Sequence, residues 1–129
     1  MLTSIKLKVG KIMVRMKLFE RANEQDDIPN LKDNCSIYCA YQDDSLKGYC
    51  IFRYHEDIVI LLELKTDPID SSLADGLARA ALSAAENRMK TTVRVEEGME
   101  LDDFVNSIAV FTNRESTIDE VLAYTECKR

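Results

Sequence analysis

The residues from Leu62 to Leu82 have an order that can bind an anion, because an apolar strand pattern leads through a short polar loop into a helix pattern. The first backbone N–H groups of a helix have no acceptor within the helix, and the helix dipole adds about half a positive charge there. A phosphate can therefore dock at such a helix start. In this chain the helix pattern begins near Leu73 and runs to Met89.

This segment resembles the cofactor-binding core of the GNAT superfamily of N-acetyltransferases, in which a strand leads into an R/Q-x-x-G-x-G/A loop and a helix. The loop pattern falls on residues 69–74: Ala74 matches its last position, Ile69 replaces the basic or amide residue and Ser72 replaces the first glycine. The resemblance implies acetyl-CoA as cofactor and acyl transfer to an amine. It also implies that the cofactor contacts Leu64, Ile69, Asp70, Ser71, Ser72, Leu73 and Ala74.

The charge of this loop argues against tight binding of a pyrophosphate. Asp67, Asp70 and Asp75 surround the helix start, and no Lys or Arg occurs in residues 66–78. A carboxylate about 4 Å from a phosphate costs on the order of 4 kcal/mol at an effective dielectric near 20, and less where solvent screens it. We therefore expect acetyl-CoA binding to be weakened.

A capping box is a second reason to expect weak binding. Ser72-Leu73-Ala74-Asp75 has the required spacing, in which the Ser72 hydroxyl accepts from an amide of the first turn and Asp75 reaches back to the cap. The sequence thus predicts a helix that is capped by its own side chains, with Ser72 as the N-cap.

Glu63 is the candidate general base for taking a proton from an acceptor amine. It is the charged residue in the otherwise apolar run of residues 58–64, and burial there would favour its protonated form. The alternative is a carboxylate at a strand edge or bulge that faces water.

Tyr124 is the candidate acid for protonating the leaving thiolate. GNAT proteins often place a tyrosine after the fifth strand, on or near an Asn-x-x-Ala helix. Residues 106–109 match that short pattern, but Asn113 stands four residues later, and alignment from Val95 puts Val105 in the tyrosine position. Tyr124 could substitute for it from the last element, and the alternative is a half-buried packing residue.

Hydrolase and metal chemistry lack matching patterns. The serines before the helix do not lie in a Gly-x-Ser-x-Gly elbow, and the single His55 falls in a hairpin turn. Cys35, Cys39 and Cys50 lack tight Cys-x-x-Cys spacing, and the last two fall in apolar strand patterns, where cysteine behaves as a small hydrophobe. We predict no metal site, and no disulfides in a chain without an export signal.

Composition excludes further classes of partner. The chain has 129 residues, which predicts a single domain spanning residues 1–129. Its net charge of −6 would repel nucleic acid and anionic lipid, although the first residues are basic from Lys6 to Lys17. No apolar run approaches the roughly 20 residues that span a bilayer. We expect a cytoplasmic protein that binds neither nucleic acid nor membranes.

The predicted elements form an α+β fold. The spacing of Ile12, Met16 and Phe19 predicts a helix over residues 11–25 that follows a first strand. The later patterns predict strands at 36–41, 49–54, 58–64 and 91–95, helices at 73–89 and 101–111, and a last strand or helix at 118–125. This order, which the resemblance also implies, predicts a mixed, largely antiparallel sheet with helices on both faces. The strands ending near Leu64 and Val95 should be parallel neighbours that separate.

Two functions follow from these observations. The first is a divergent GNAT-like protein that transfers an acetyl group from acetyl-CoA to a small-molecule or peptide amine, with weakened cofactor binding. The alternative is a non-catalytic module of the same fold that binds a protein partner or forms a homodimer. The altered loop and the missing tyrosine favour the alternative.

Overall fold

Seven strands and two α-helices form the described part of the chain, which in this computed structural model comprises residues 2–9, 12–28, 34–67, 69–96, 110–111 and 114–123. The strands are β1 (Leu2–Val9), β2 (Ile12–Phe19), β3 (Ser36–Gln42), β4 (Ser45–His55), β5 (Ile58–Thr66), β6 (Thr92–Val95) and β7 (Glu115–Thr117). The α-helices are α1 (Ser71–Asn87) and α2 (Ile118–Ala123), and a 3-10 helix spans Ala22–Glu24. The fold class is α+β, as predicted.

The strands lie in one sheet in the order of the sequence. All neighbours are antiparallel except β5 and β6, which are parallel and paired from Ile58 opposite Thr92 to Leu61 opposite Val95. Parallel neighbours require a crossover connection, and α1 supplies it. The predicted parallel pair is confirmed.

The predicted helix over residues 11–25 is wrong, because residues 12–19 form β2 and only Ala22–Glu24 are helical, as a single 3-10 turn. Helical spacing and strand alternation coincide in this segment. Val14, Met16 and Leu18 are buried toward the helices, whereas Arg15 between them is exposed. A period of two therefore describes the segment better than a period of 3.6.

The β3–β4 turn is tighter than predicted, since it consists of Asp43 and Asp44. Both residues have positive φ, 52° and 68°. Two-residue hairpin turns of this kind match the twist of the flanking strands, and aspartate tolerates the left-handed region better than most residues.

The main core lies between α1 and one face of the sheet. Its largest fully buried side chains include Phe52, Leu61, Leu77 and Leu82, and both α-helices contribute to it. A smaller cluster on the opposite face contains Cys35, Ile37, Cys39 and Ile51, with Ile28 packed against it.

The helices are distributed unevenly over the two faces. Both α-helices contribute to the main core, whereas the described cover of the opposite face comes from the segment that contains the 3-10 helix. Most of the predicted helix at 101–111 falls outside the described residues, and only Val110 and Phe111 are seen to be helical. The last element, left open between strand and helix, is helical over Ile118–Ala123.

The end of α1 is a Schellman motif. The N–H of Lys90 donates to the carbonyl of Ala85 at 3.0 Å, and the N–H of Met89 donates to that of Glu86 at 2.9 Å. Met89 has a φ of 65°, a position where helices usually place glycine. The helix thus ends two residues earlier than predicted.

Candidate cofactor site

The pairing of the parallel strands β5 and β6 covers only the first part of β5. Their pairing ends at Leu61 and Val95, and the N–H of Glu96 donates to the carbonyl of Leu61 at 2.9 Å. β5 continues to Thr66, and no described residue pairs with this last part of β5 on the side of β6. Among the described residues, the backbone N–H and C=O groups along that edge therefore have no partner on this side.

A β-bulge at Leu62 in β5 lies next to the last residue that pairs with β6. The pairing of β4 with β5 passes from Phe52 opposite Leu61 to Ile51 opposite Glu63, so Leu62 is an extra residue in β5. A bulge bends its strand and increases the local twist. The bulge therefore lies at the position where the pairing with β6 ends.

Gly48 fixes the position of the far end of β5. A Cβ at this residue would lie 2.8 Å from the carbonyl oxygen of Lys65 and 3.2 Å from Leu77 Cδ1. The neighbouring Lys47 carbonyl accepts the N–H of Asp67 at 2.8 Å. The absence of a side chain at Gly48 thus lets β4 and α1 approach the end of β5.

Asp70 caps α1, which corrects the prediction that Ser72 does so. The Asp70 carboxylate accepts the N–H of Leu73 at 3.0 Å, and its own N–H donates to Thr66 Oγ1 at 2.8 Å. Ser72 lies exposed within the first turn. In the described part of the chain, the N–H groups of Ser71 and Ser72 have no acceptor.

The predicted ring of three carboxylates is reduced to two. Asp75 pairs with Arg79 at 3.0 Å, and Arg79 also donates to the carbonyls of Val121 and Leu122 in α2. Asp75 therefore helps to join the two α-helices and does not reach back to a cap. Within the described ranges, no cation forms an ion pair with Asp67 or Asp70.

The remaining candidate cofactor residues divide into two groups. Ile69 is 79% exposed beside Asp70, and Ser71 is partly exposed. Leu64, Leu73 and Ala74 are buried in the main core. These three can offer a ligand only their backbone, whereas the loop residues can also offer side chains.

Glu63 is exposed, which decides between the two interpretations of its position in the strand. Its carboxylate accepts a hydrogen bond from the Tyr49 hydroxyl, and its backbone follows the bulge residue Leu62. The structure confirms the alternative, a water-facing carboxylate beside a bulge. Tyr124, the candidate acid, lies outside the described residues.

Tyr49 was not singled out by the sequence, although it contacts the candidate base. Burial raises the pKa of its phenol, and the hydrogen bond to Glu63 and the charge of that carboxylate raise it further. The register places Tyr49 opposite Lys65 and diagonal to Glu63. In a hairpin of β4 and β5, residues at diagonal positions of the two strands lie close together, and this proximity could have identified Tyr49 as a neighbour of Glu63.

The three described cysteines, Cys35, Cys39 and Cys50, are core residues. Cys39 and Cys50 are fully buried, burial raises the pKa of their thiols to about 11 and about 12, and no disulfide joins the described cysteines. The described residues contain no group of three His, Cys, Asp or Glu side chains that could hold a metal ion. His55 lies at the β4–β5 turn with its side chain 60% exposed.

A cleft of about 370 Å³ lies at the opposite end of α1. It is lined by Glu86, Met89, Lys90, Thr91, Thr117, Ile118 and Asp119. A helix of 17 residues is about 25 Å long, so this cleft is separate from the strand gap and the helix start.

Comparisons with known proteins give matches among solved structures. No protein-family model and no curated protein matches the chain. Among solved structures it is similar to a probable acetyltransferase from Staphylococcus epidermidis ATCC 12228, with 19% identity and a TM-score of 0.48. The match covers 63% of this chain and 51% of that protein, so the chain spans about half its length.

No helix in the described ranges is long and apolar enough to cross a bilayer.

Proposed function

We propose that this chain is a divergent member of the GNAT superfamily that binds acetyl-CoA weakly and transfers its acetyl group to an amine. One observation carries the proposal: the pairing of the parallel strands β5 and β6 ends at Leu61 and Val95, beside the bulge at Leu62, while β5 continues to Thr66. The start of α1 lies beyond the end of the same strand. An open strand edge and a helix N-terminus are thus parts of one strand–loop–helix unit.

The open edge of β5 suits the pantetheine arm of the cofactor. That arm carries two amide groups, and an extended ligand can hydrogen-bond to an unpaired strand edge as an added strand does. Residues 62–66 of β5 run along β4 on one side and pair with no described residue on the side of β6, where their outward N–H and C=O groups would alternate as donors and acceptors. When bound, the cofactor would supply a thioester that is reactive toward an amine.

Glu63 is the residue that would take the proton of the amine, directly or through water. Its carboxylate is exposed and immediately follows the bulge. Solvent access suits a base that works through a water molecule and an acceptor that arrives from solution. We propose a small molecule or a peptide with a free amine as the acceptor.

The start of α1 would hold the pyrophosphate only weakly. The amides of Ser71 and Ser72 are available, but the amide of Leu73 is taken by the Asp70 side chain. The negative charges of Asp67 and Asp70 would repel the pyrophosphate. Neutral or basic residues at these positions would favour an anion more strongly.

The capped helix start also favours a second candidate function, a non-catalytic module that binds a protein partner or forms a homodimer. Because the Asp70 side chain caps the helix, the helix needs no ligand as its N-cap. In that case the chain would keep the fold and have no use for the cofactor.

An amide-resolved NMR titration with CoA tests the proposed function. We expect chemical-shift changes to concentrate at residues 62–66 and at Ser71 and Ser72. Pantetheine, which lacks the nucleotide, should reproduce the changes on β5 and leave the helix start unaffected. No change in either region at millimolar CoA would contradict the proposal and favour the non-catalytic module.

A further inference from the structure

We propose that Tyr49 is a positioning residue for Glu63. The Tyr49 hydroxyl holds the Glu63 carboxylate in one orientation beside the bulge, and this role rests on the proposed function. The Tyr49 hydroxyl donates to Oε2 of Glu63. Among the described residues nothing bonds Oε1, which is left to accept a proton from an amine or a water molecule.

The sheet register brings the two side chains together. Ile51 lies opposite Glu63 and Tyr49 opposite Lys65, so Tyr49 and Glu63 are diagonal neighbours on adjacent antiparallel strands. Diagonal neighbours lie within reach of an aromatic side chain. Because Leu62 bulges out of the pairing, the position of Glu63 relative to β4 depends on this local geometry.

An exposed glutamate on a strand samples several side-chain rotamers in water, and fixing one costs conformational entropy. Tyr49 is half-buried, and its ring packs against the smaller cluster on the face opposite α1. A ring held by packing can therefore present its hydroxyl at a fixed point. Glu63 gains a fixed orientation without being buried.

The phenol remains a hydrogen-bond donor over the neutral pH range. Burial raises the pKa of Tyr49, followed by its hydrogen bond to Glu63 and the charge of that carboxylate. Cys39, opposite Tyr49 on β3, is uncharged at neutral pH because burial raises the pKa of its thiol to about 11. The cationic group opposite Tyr49 is Lys65, which is exposed.

The same face supplies a matched control pair. Tyr41 on β3 donates its hydroxyl to Asp27 at 2.7 Å and is also half-buried. Tyr41 lies on β3 and Asp27 on the segment that covers the smaller cluster, so neither residue belongs to β5. Tyr41→Phe thus removes one tyrosine-to-carboxylate hydrogen bond, as Tyr49→Phe does, without touching Glu63.

The first test measures the Glu63 side chain directly. In wild type, the three-bond couplings of the Glu63 side chain should report one dominant rotamer. In Tyr49→Phe these couplings should be averaged over several rotamers, and in Tyr41→Phe they should be the same as in wild type. Averaged couplings in wild type, or unchanged couplings in Tyr49→Phe, would overturn the positioning role. Melting temperatures of the two variants check that each is folded.

The second test measures thiol release from acetyl-CoA with a short peptide that carries a free N-terminal amine. Tyr49→Phe should lower kcat at least about tenfold with an unchanged KM for acetyl-CoA, because misplacing a base slows the chemical step. Tyr41→Phe should match wild type, and an unaffected kcat in Tyr49→Phe would overturn the proposal. If wild type releases no thiol, the proposed function is wrong, whereas the couplings still decide whether Tyr49 positions Glu63.

Discussion

The carboxylate of Asp70 accepts the backbone N–H of Leu73 at 3.0 Å, so the side chain of the loop occupies an amide that a phosphate could otherwise bind. The N–H of Asp70 donates to Thr66 Oγ1 at 2.8 Å, which ties the cap to the end of β5. One residue thereby stabilises the helix and weakens the anion site.

Asp70→Ala should lower the free energy of unfolding by about 1 kcal/mol, because the helix loses its N-cap. Asp70→Asn should retain most of the stability, since asparagine caps about as well as aspartate. Ser72→Ala is the control and should change stability by only a few tenths of a kcal/mol, because Ser72 is exposed and not the cap. Urea unfolding measures all three, and a larger loss for Ser72→Ala than for Asp70→Ala would contradict the assignment.

Met89→Gly should raise the free energy of unfolding by about 0.5–1 kcal/mol. Met89 is 84% exposed and has a φ of 65°, where a side chain costs roughly 1–2 kcal/mol and glycine costs none. The greater freedom of glycine in the unfolded chain offsets part of that gain.

Ser83→Gly provides the control for this change. Ser83 is exposed within α1, where glycine is unfavourable, so this variant should be less stable than wild type. Thermal unfolding of the two variants should therefore show shifts of opposite sign. A destabilised Met89→Gly would show that Met89 makes contacts that its exposure does not suggest.

Stability should fall as the pH rises above about 9. Burial raises the pKa of Cys50 from 9.0 to about 12 and that of Cys39 from 9.0 to about 11. The folded chain thus keeps these protons where the unfolded chain releases them, and the stabilisation is complete below pH 9 and lost as the pH rises through the folded pKa values. Tyr54, whose pKa burial raises to about 12, adds to the loss.

Urea unfolding at pH 8 and pH 10 measures this dependence. Cys50→Ala should be less stable than wild type at pH 8, because the core loses a buried side chain. Between the two pH values, however, it should lose less stability than wild type does. An equal loss in both proteins would show that Cys50 contributes nothing to the alkaline dependence.

The sequence was sufficient to predict those helices and strands whose hydrophobic pattern fits only one type of secondary structure. The alanine-rich α1 and the apolar β5 are such elements, and their order predicted the parallel pairing with β6. β2 could not be predicted in this way, since Val14, Met16 and Leu18 fit a strand while Ile12, Met16 and Phe19 fit a helix. Pairing with β1 and β3 decides between them, and that is a tertiary effect.

The loop and helix start of the candidate site were predictable in position, but their hydrogen bonds were not. Both Asp70 and Ser72 are good capping residues, and the hydrogen bond from the Leu73 N–H to the Asp70 carboxylate identifies which one begins the helix. The apolar run of β5 does not show where a bulge lies, so the sequence left both a buried and a water-facing position open for Glu63. Its hydrogen bond with Tyr49 depends on a strand register that the turn and the bulge set together.

Calorimetric titration with CoA tests the central claim, a cofactor site weakened by its own loop. The comparison is between wild type and the double variant Ile69→Arg/Asp70→Asn, which restores a cation and removes a charge while keeping a capping side chain. The control is Ser83→Arg/Glu86→Gln, which makes the same two changes of charge on exposed residues far along α1. Its affinity for CoA should stay close to that of wild type.

We expect wild type to bind CoA with a dissociation constant on the order of millimolar. Ile69→Arg/Asp70→Asn should bind CoA at least about tenfold more tightly, which corresponds to about 1.4 kcal/mol of binding free energy. Micromolar binding by wild type would contradict the claim that the loop weakens the site. No binding by either protein would contradict the claim that the end of β5 beyond its pairing with β6 belongs to an acyl-CoA site.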